Sequence, residues 1–143
     1  MRAVVAIFAA AVLFNYPWEV AQSMLFADQP PFPTRLWHCF VASLGDAVLV
    51  LLIWTTGVAV FRSGGWFQPP GWRRYGLMLL IGVVVGVVVE ATALSLGRWS
   101  YTMRMPRIGS VGVIPVLQMV IVPPLVFAAV TRIDIGRGGE AWR

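Results

Sequence analysis

Hydrophobic residues run in four long blocks along the chain, about Ala3 to Phe26, His38 to Phe61, Tyr75 to Leu96 and Val113 to Val130. Short polar, aromatic and proline-rich connections separate them. At the helical rise each block approaches the roughly 30 Å of hydrocarbon in a bilayer, the fourth being the shortest. The pattern predicts an all-α protein: one four-helix transmembrane bundle spanning 1–143, with no linker, repeat or low-complexity tract to divide it. Pro17 and Pro123-Pro124 would break soluble helices, but in a membrane bundle they are tolerated as kinks. The run Ile81-Gly-Val-Val-Val-Gly-Val-Val-Val-Glu90 is too apolar for a surface helix, which makes the carboxyl at its end a candidate functional group.

Composition agrees with the blocks. Of 143 residues 59% are hydrophobic and 12% charged, too little polar surface for a soluble protein. The formal charge of +5 is carried by arginine alone, and the absence of lysine excludes a lysine Schiff base. These arginines flank apolar spans, where they anchor helix ends and meet anionic lipid, so the basic charge does not point to nucleic acid. A single Cys39 excludes an internal disulfide. Met1-Arg2 and the apolar run to Phe14 resemble a signal peptide, but no small-residue cleavage site follows, and the segment reads as the first span.

Four spans place both termini and the second connection on one side. Seven arginines fall there (Arg2, Arg62, Arg73, Arg74, Arg132, Arg137, Arg143) against four opposite (Arg35, Arg98, Arg104, Arg107). The positive-inside rule then predicts a multi-pass membrane protein with both termini cytoplasmic. Trp18, Trp37, Trp66, Trp72 and Trp99 lie near span ends and read as interfacial anchors.

Residue number converts to depth, because the spans alternate in direction. Glu19, Asp46, Glu90 and Gln118, one per helix, fall about 5 to 7 Å outward of the bilayer centre. Asn15, Glu19 and Gln22 share one face of the first helix, Cys39, Ser43 and Asp46 one face of the second, and Gly82, Gly86 and Glu90 one face of the third. The stripes should face each other around one polar layer, the glycines allowing close helix approach.

Three carboxyls in low dielectric cannot all stay ionised without cations. Such a layer could hold the helices in register by hydrogen bonds, do acid-base work, or bind metal. Metal ranks last, since a carboxylate-bridged site in a bundle wants two Glu-x-x-His pairs and this chain has one histidine, His38, at the outer end of its span. The third connection gathers Arg98, Trp99, Tyr101, Arg104 and Arg107 above the layer, where guanidinium groups could clamp a phosphate or carboxylate. If the third helix continues, Arg98 stands about 12 Å above Glu90.

The leading expectation is an outer-leaflet acidic pocket for a hydrophobic or amphiphilic ligand, a lipid or isoprenoid, with scope for proton transfer. Glu90 and Asp46 are the candidate acid-base pair, with Glu19 beside them. Gln118, Gln22 and Asn15 supply hydrogen bonds, and Arg98, Arg104, Trp99 and Tyr101 meet the headgroup. No metal is expected, and the sequence names no cofactor. Two other classes fit: a non-catalytic subunit of a larger photosynthetic or respiratory membrane complex, and a proton-coupled small transporter acting as a homodimer.

The residues Trp18-Glu19-x-x-Gln22, His38-Cys39 followed by Gly45-Asp46, Gly97-x-Trp99-x-Tyr101, Met105-Pro106 and Pro115-x-x-Gln118 resemble a group of short bacterial four-span membrane proteins, a resemblance that implies architecture and assigns no reaction. The loop is more distantly similar to the Gly-x-Trp-x-Tyr stretch of the membrane lycopene cyclase family of carotenoid synthesis. That family has a proline and paired acids in the next helix, where this chain has Pro115-Val116-Leu117-Gln118. Proton-driven small multidrug transporters also combine four spans with a first-helix glutamate, as Glu19 is here.

Overall fold

The described residues form a bundle of four helices, each long and apolar enough to cross a membrane, and the protein is a multi-pass membrane protein. The computed structural model describes residues 2–68 and 71–136, with side chains through residue 133; Arg137 and Arg143, counted above for topology, lie outside the described residues. The helices are α1 (Arg2–Gln22), α2 (Thr34–Phe61), α3 (Trp72–Ser95) and α4 (Val113–Gly136). A 3-10 turn, Ser23–Leu25, extends α1, and a two-stranded hairpin of β1 (Arg107–Ile108) and β2 (Val111–Gly112) precedes α4.

The helix ends differ from the hydropathy boundaries for a physical reason. α2 starts at Thr34 rather than His38, and α3 at Trp72 rather than Tyr75. Tryptophan and arginine side chains can reach the interface while their backbone stays helical, so the hydrogen-bond ladder outlasts the apolar run. α3, in contrast, stops before Arg98. Gly97 takes a left-handed φ of 62°, the Gly97 N–H bonds Leu94 O at 3.1 Å, and the Arg98 N–H bonds Ala93 O at 2.9 Å. This is a glycine-terminated Schellman cap, and it turns Arg98 off the helix axis.

α1 packs along α2 and α4, and α3 along α4, whereas α2 and α3 touch only sparsely. The glycine stripe explains the α3–α4 contact. A Cβ at Gly82 would stand 2.2 Å from Met119 O, and one at Gly86 3.1 Å from Val116 Cα. Below the polar layer, Ile7, Ala11, Ala47, Val50, Ile53, Val122 and Val126 fill the interior.

One end of the bundle is sealed by aromatic side chains from the α2–α3 connection. Trp66, expected at the interface, is 1% exposed instead. Its ring stacks on Phe61 at 5.6 Å, meets Phe127 edge-on at 5.8 Å, and donates its indole N–H to Trp54 O at 3.0 Å. The ring enters because Gly57 leaves it room: a Cβ there would lie 2.0 Å from the indole. Trp37 and Trp72, at 64% and 80% exposed, do point outward. We expect Gly57→Ala to lower stability by about 1–3 kcal/mol through overpacking. Equilibrium unfolding in mixed micelles measures it, and an unchanged midpoint would mean that the indole is not wedged.

Candidate functional site

The polar side chains of four helices meet on the other side of that apolar filling. Gln118 of α4 is the hub. Its Nε2 donates to Asn15 Oδ1 at 2.9 Å and to Asp46 Oδ2 at 2.7 Å, and its Oε1 accepts from Gln22 Nε2 at 2.8 Å. Gln22 Nε2 also donates to Glu19 Oε1 at 2.5 Å, and Gln22 Oε1 accepts from the Trp18 indole at 3.2 Å. Asn15 returns its amide N–H to Ala11 O at 2.9 Å. An amide supplies two N–H donors, so both glutamines use their full donor capacity inside this network. In lipid that satisfaction matters more than the strength of any one bond, since a stranded polar group has no water to turn to.

The carboxyls of Glu19 and Asp46 come within hydrogen-bonding reach of each other. Such a bond needs a proton between them, because an ionised carboxylate only accepts. Glu90, 3% exposed, stands apart from this pair. The Tyr101 hydroxyl donates to Glu90 Oε2 and accepts the Gly112 N–H at 3.1 Å. The Trp99 indole nitrogen is buried beside Glu90 without a well-formed hydrogen bond. The tyrosine thus ties the third connection to α3 and orients the acid. Tyr101→Phe should cost about 1–2 kcal/mol, since it leaves the Gly112 N–H without its acceptor and Glu90 without its donor. Thermal unfolding measures the loss.

A cavity of about 460 Å³ opens onto these acids. Its polar floor is Glu19, Gln22, Asp46, Glu90 and Gln118; Val41, Ala42 and Leu49 of α2 and Gly86 and Val89 of α3 make apolar walls. Those two helices touch only sparsely. Asp28, His38 and Arg98 sit around the mouth. The first and third connections are zipped together beside it. Ala27 N–H bonds Ser100 O at 2.9 Å, Thr102 N–H bonds Leu25 O at 2.9 Å, and the Ser100 hydroxyl donates to Asp28 Oδ2 at 2.5 Å. Phe26 packs between Trp99 and Tyr101 at ring distances of 6.0 and 5.5 Å.

The candidate residues therefore divide. Glu19, Asp46, Glu90, Gln22, Gln118, Arg98 and Trp99 line one cavity. Asn15 lies fully buried behind it, and Tyr101 supports Glu90 from the loop. Arg104 is exposed on the third connection and does not line the cavity, so the clamp expected of Arg98 with Arg104 is not assembled. The pairing also differs: Asp46 is joined to Glu19 and to Gln118, while Glu90 is joined to Tyr101. Two further residues take part. Trp18 turns its N–H inward to Gln22, a contact its i, i+4 spacing could have suggested. His38 lies at the mouth, its Nδ1 3.0 Å from Thr34 O. Among the described residues no group of three His, Cys, Asp or Glu side chains is placed to hold a metal ion. The chain matches no protein-family model, no curated protein and no solved structure.

Proposed function

We propose that this chain is an inner-membrane protein, with cytoplasmic termini, whose outer-leaflet cavity binds a hydrophobic or amphiphilic ligand such as a lipid or isoprenoid. The observation that carries the reading is the cavity itself. It joins an acidic, hydrogen-bonded floor to apolar walls on two helices that touch only sparsely, so a ligand's polar end can sit at the acids while its chain runs between α2 and α3. The volume falls within the range of about 300–1,000 Å³ usual for small-molecule sites. Glu90, Asp46 and Glu19 are the groups able to exchange protons with such a ligand, since carboxyls held near a shared or donated proton can act as acid or base.

Purification with native lipid, followed by mass spectrometry of what co-elutes, tests the reading. Wild-type protein should retain a near-stoichiometric amphiphile, and the double variant Asp46→Asn, Glu90→Gln should retain about tenfold less, as expected when charge-assisted hydrogen bonds are lost. A wild-type preparation carrying no amphiphile would end the proposal.

A further inference from the structure

The cavity's hydrogen-bonding inventory selects one kind of headgroup. Both N–H groups of Gln118 and both of Gln22 are used within the network. The Ser23 hydroxyl donates to Val20 O at 2.8 Å and the Cys39 thiol to Glu19 O at 3.6 Å. The Tyr101 hydroxyl is given to Glu90. Apart from the Trp99 indole N–H beside Glu90, what the deep layer has left is acceptors. Each carboxyl is fixed at one oxygen, Glu19 Oε1 by Gln22, Asp46 Oδ2 by Gln118 and Glu90 Oε2 by Tyr101; Glu90 keeps a second oxygen with its lone pairs, and Glu19 and Asp46, within reach of each other, keep lone pairs beyond the one bond they can share.

A phosphate or carboxylate head would bring further acceptors and further negative charge to a floor of three carboxyls. Among the described residues the only guanidinium lining the cavity is that of Arg98, exposed at the mouth. A protonated amine brings three donors and the opposite charge. Beside Glu90 it also meets the aromatic wall of Phe26 and Trp99, which line the cavity at a ring separation of 6.0 Å and attract cations through their faces.

We propose that the cavity's ligand class is an amphiphile with a protonated amine head, its nitrogen received by Glu19, Asp46 and Glu90 and its alkyl chain lying between α2 and α3. This rests on the amphiphile-binding reading above and narrows it. Arg98 then disfavours the ligand from the mouth, and its removal should strengthen binding.

The test uses the full chain in phosphatidylcholine nanodiscs, with dodecylamine, dodecanol and dodecyl phosphate as probes of equal chain length, scored by native mass spectrometry and by competition. Dodecylamine should bind about tenfold more tightly than either other probe, because charge-assisted bonds exceed neutral ones. Asp46→Asn with Glu90→Gln should bring that preference below about threefold, and Arg98→Gln, at an exposed position that leaves folding intact, should raise dodecylamine affinity about threefold. Equal binding of the three probes, or preference for dodecyl phosphate, overturns the amine assignment and leaves amphiphile binding standing. Failure of the wild-type protein to bind any probe removes both. An Arg98→Gln variant with weaker dodecylamine binding also overturns the amine assignment, since the guanidinium would then be a ligand contact.

Discussion

Gln118→Leu should lower the stability of the bundle by about 2–4 kcal/mol, the largest expected effect of any single change in the polar layer. The side chain joins three helices at once, and leucine can neither accept from Gln22 nor donate to Asn15 and Asp46. Three groups then lose a partner, at about 1 kcal/mol each or somewhat more. The paired experiment is a double-mutant cycle with Gln22→Leu, followed by steric-trap or denaturant unfolding in bicelles. The two losses should be clearly less than additive, because the second substitution removes a partner already lost. A loss under about 0.6 kcal/mol, the average for interhelical hydrogen bonds in membranes, would mean that the glutamine lines the cavity without holding it together.

Gly82→Ala should cost a similar amount, about 2–4 kcal/mol, by a different route. The added methyl would lie 2.2 Å from Met119 O and 3.1 Å from Met119 C. Both are backbone atoms in the middle of α4, which cannot swing aside as a side chain can, so the helices must separate along their length. Glu90 lies two turns further along the same face of α3, so its bond to Tyr101 should weaken as well. Gly45→Ala is the control. Nothing lies within 4 Å of a Cβ there, and the exchange should be neutral or stabilising by up to about 1 kcal/mol through helix propensity. If Gly82→Ala matched Gly45→Ala in unfolding experiments, close α3–α4 approach would not be a source of stability.

The polar layer was legible in the sequence because two strong regularities coincide. A helix advances by a fixed rise per residue, and a membrane fixes where each span begins and ends, so Glu19, Asp46 and Gln118 could be set at one height before any contact was known. The inward direction of Asn15, Glu19 and Gln22 followed from their spacing. Which carboxyl pairs with which did not follow, because azimuth around each helix depends on packing that hydropathy does not report. Asp46 meets Glu19 since α1 and α2 pack closely, whereas α2 and α3 touch only sparsely.

The loops were harder to read. Arg98 and Arg104 share a short, arginine-rich segment, yet the cap at Gly97 and the zipper to the first connection send one toward the cavity and the other into solvent. Trp66 was misplaced because interfacial preference is a statistical tendency of tryptophan near span ends, and one glycine, Gly57, reverses it by making a slot. The spacing of nine residues across a turn carries no periodic signal that would have exposed the slot.

That slot has a consequence for traffic through the protein. Trp66, Phe67 and Phe127 close the end opposite the acids, and a dry layer of aliphatic side chains lies between. A molecule or proton that reaches Glu90 from the mouth meets a cul-de-sac: it must leave by the same vestibule or slip sideways into the leaflet. Vectorial passage from one face of the bilayer to the other would require the indole to vacate Gly57, so the tryptophan is where a thoroughfare would have to be cut.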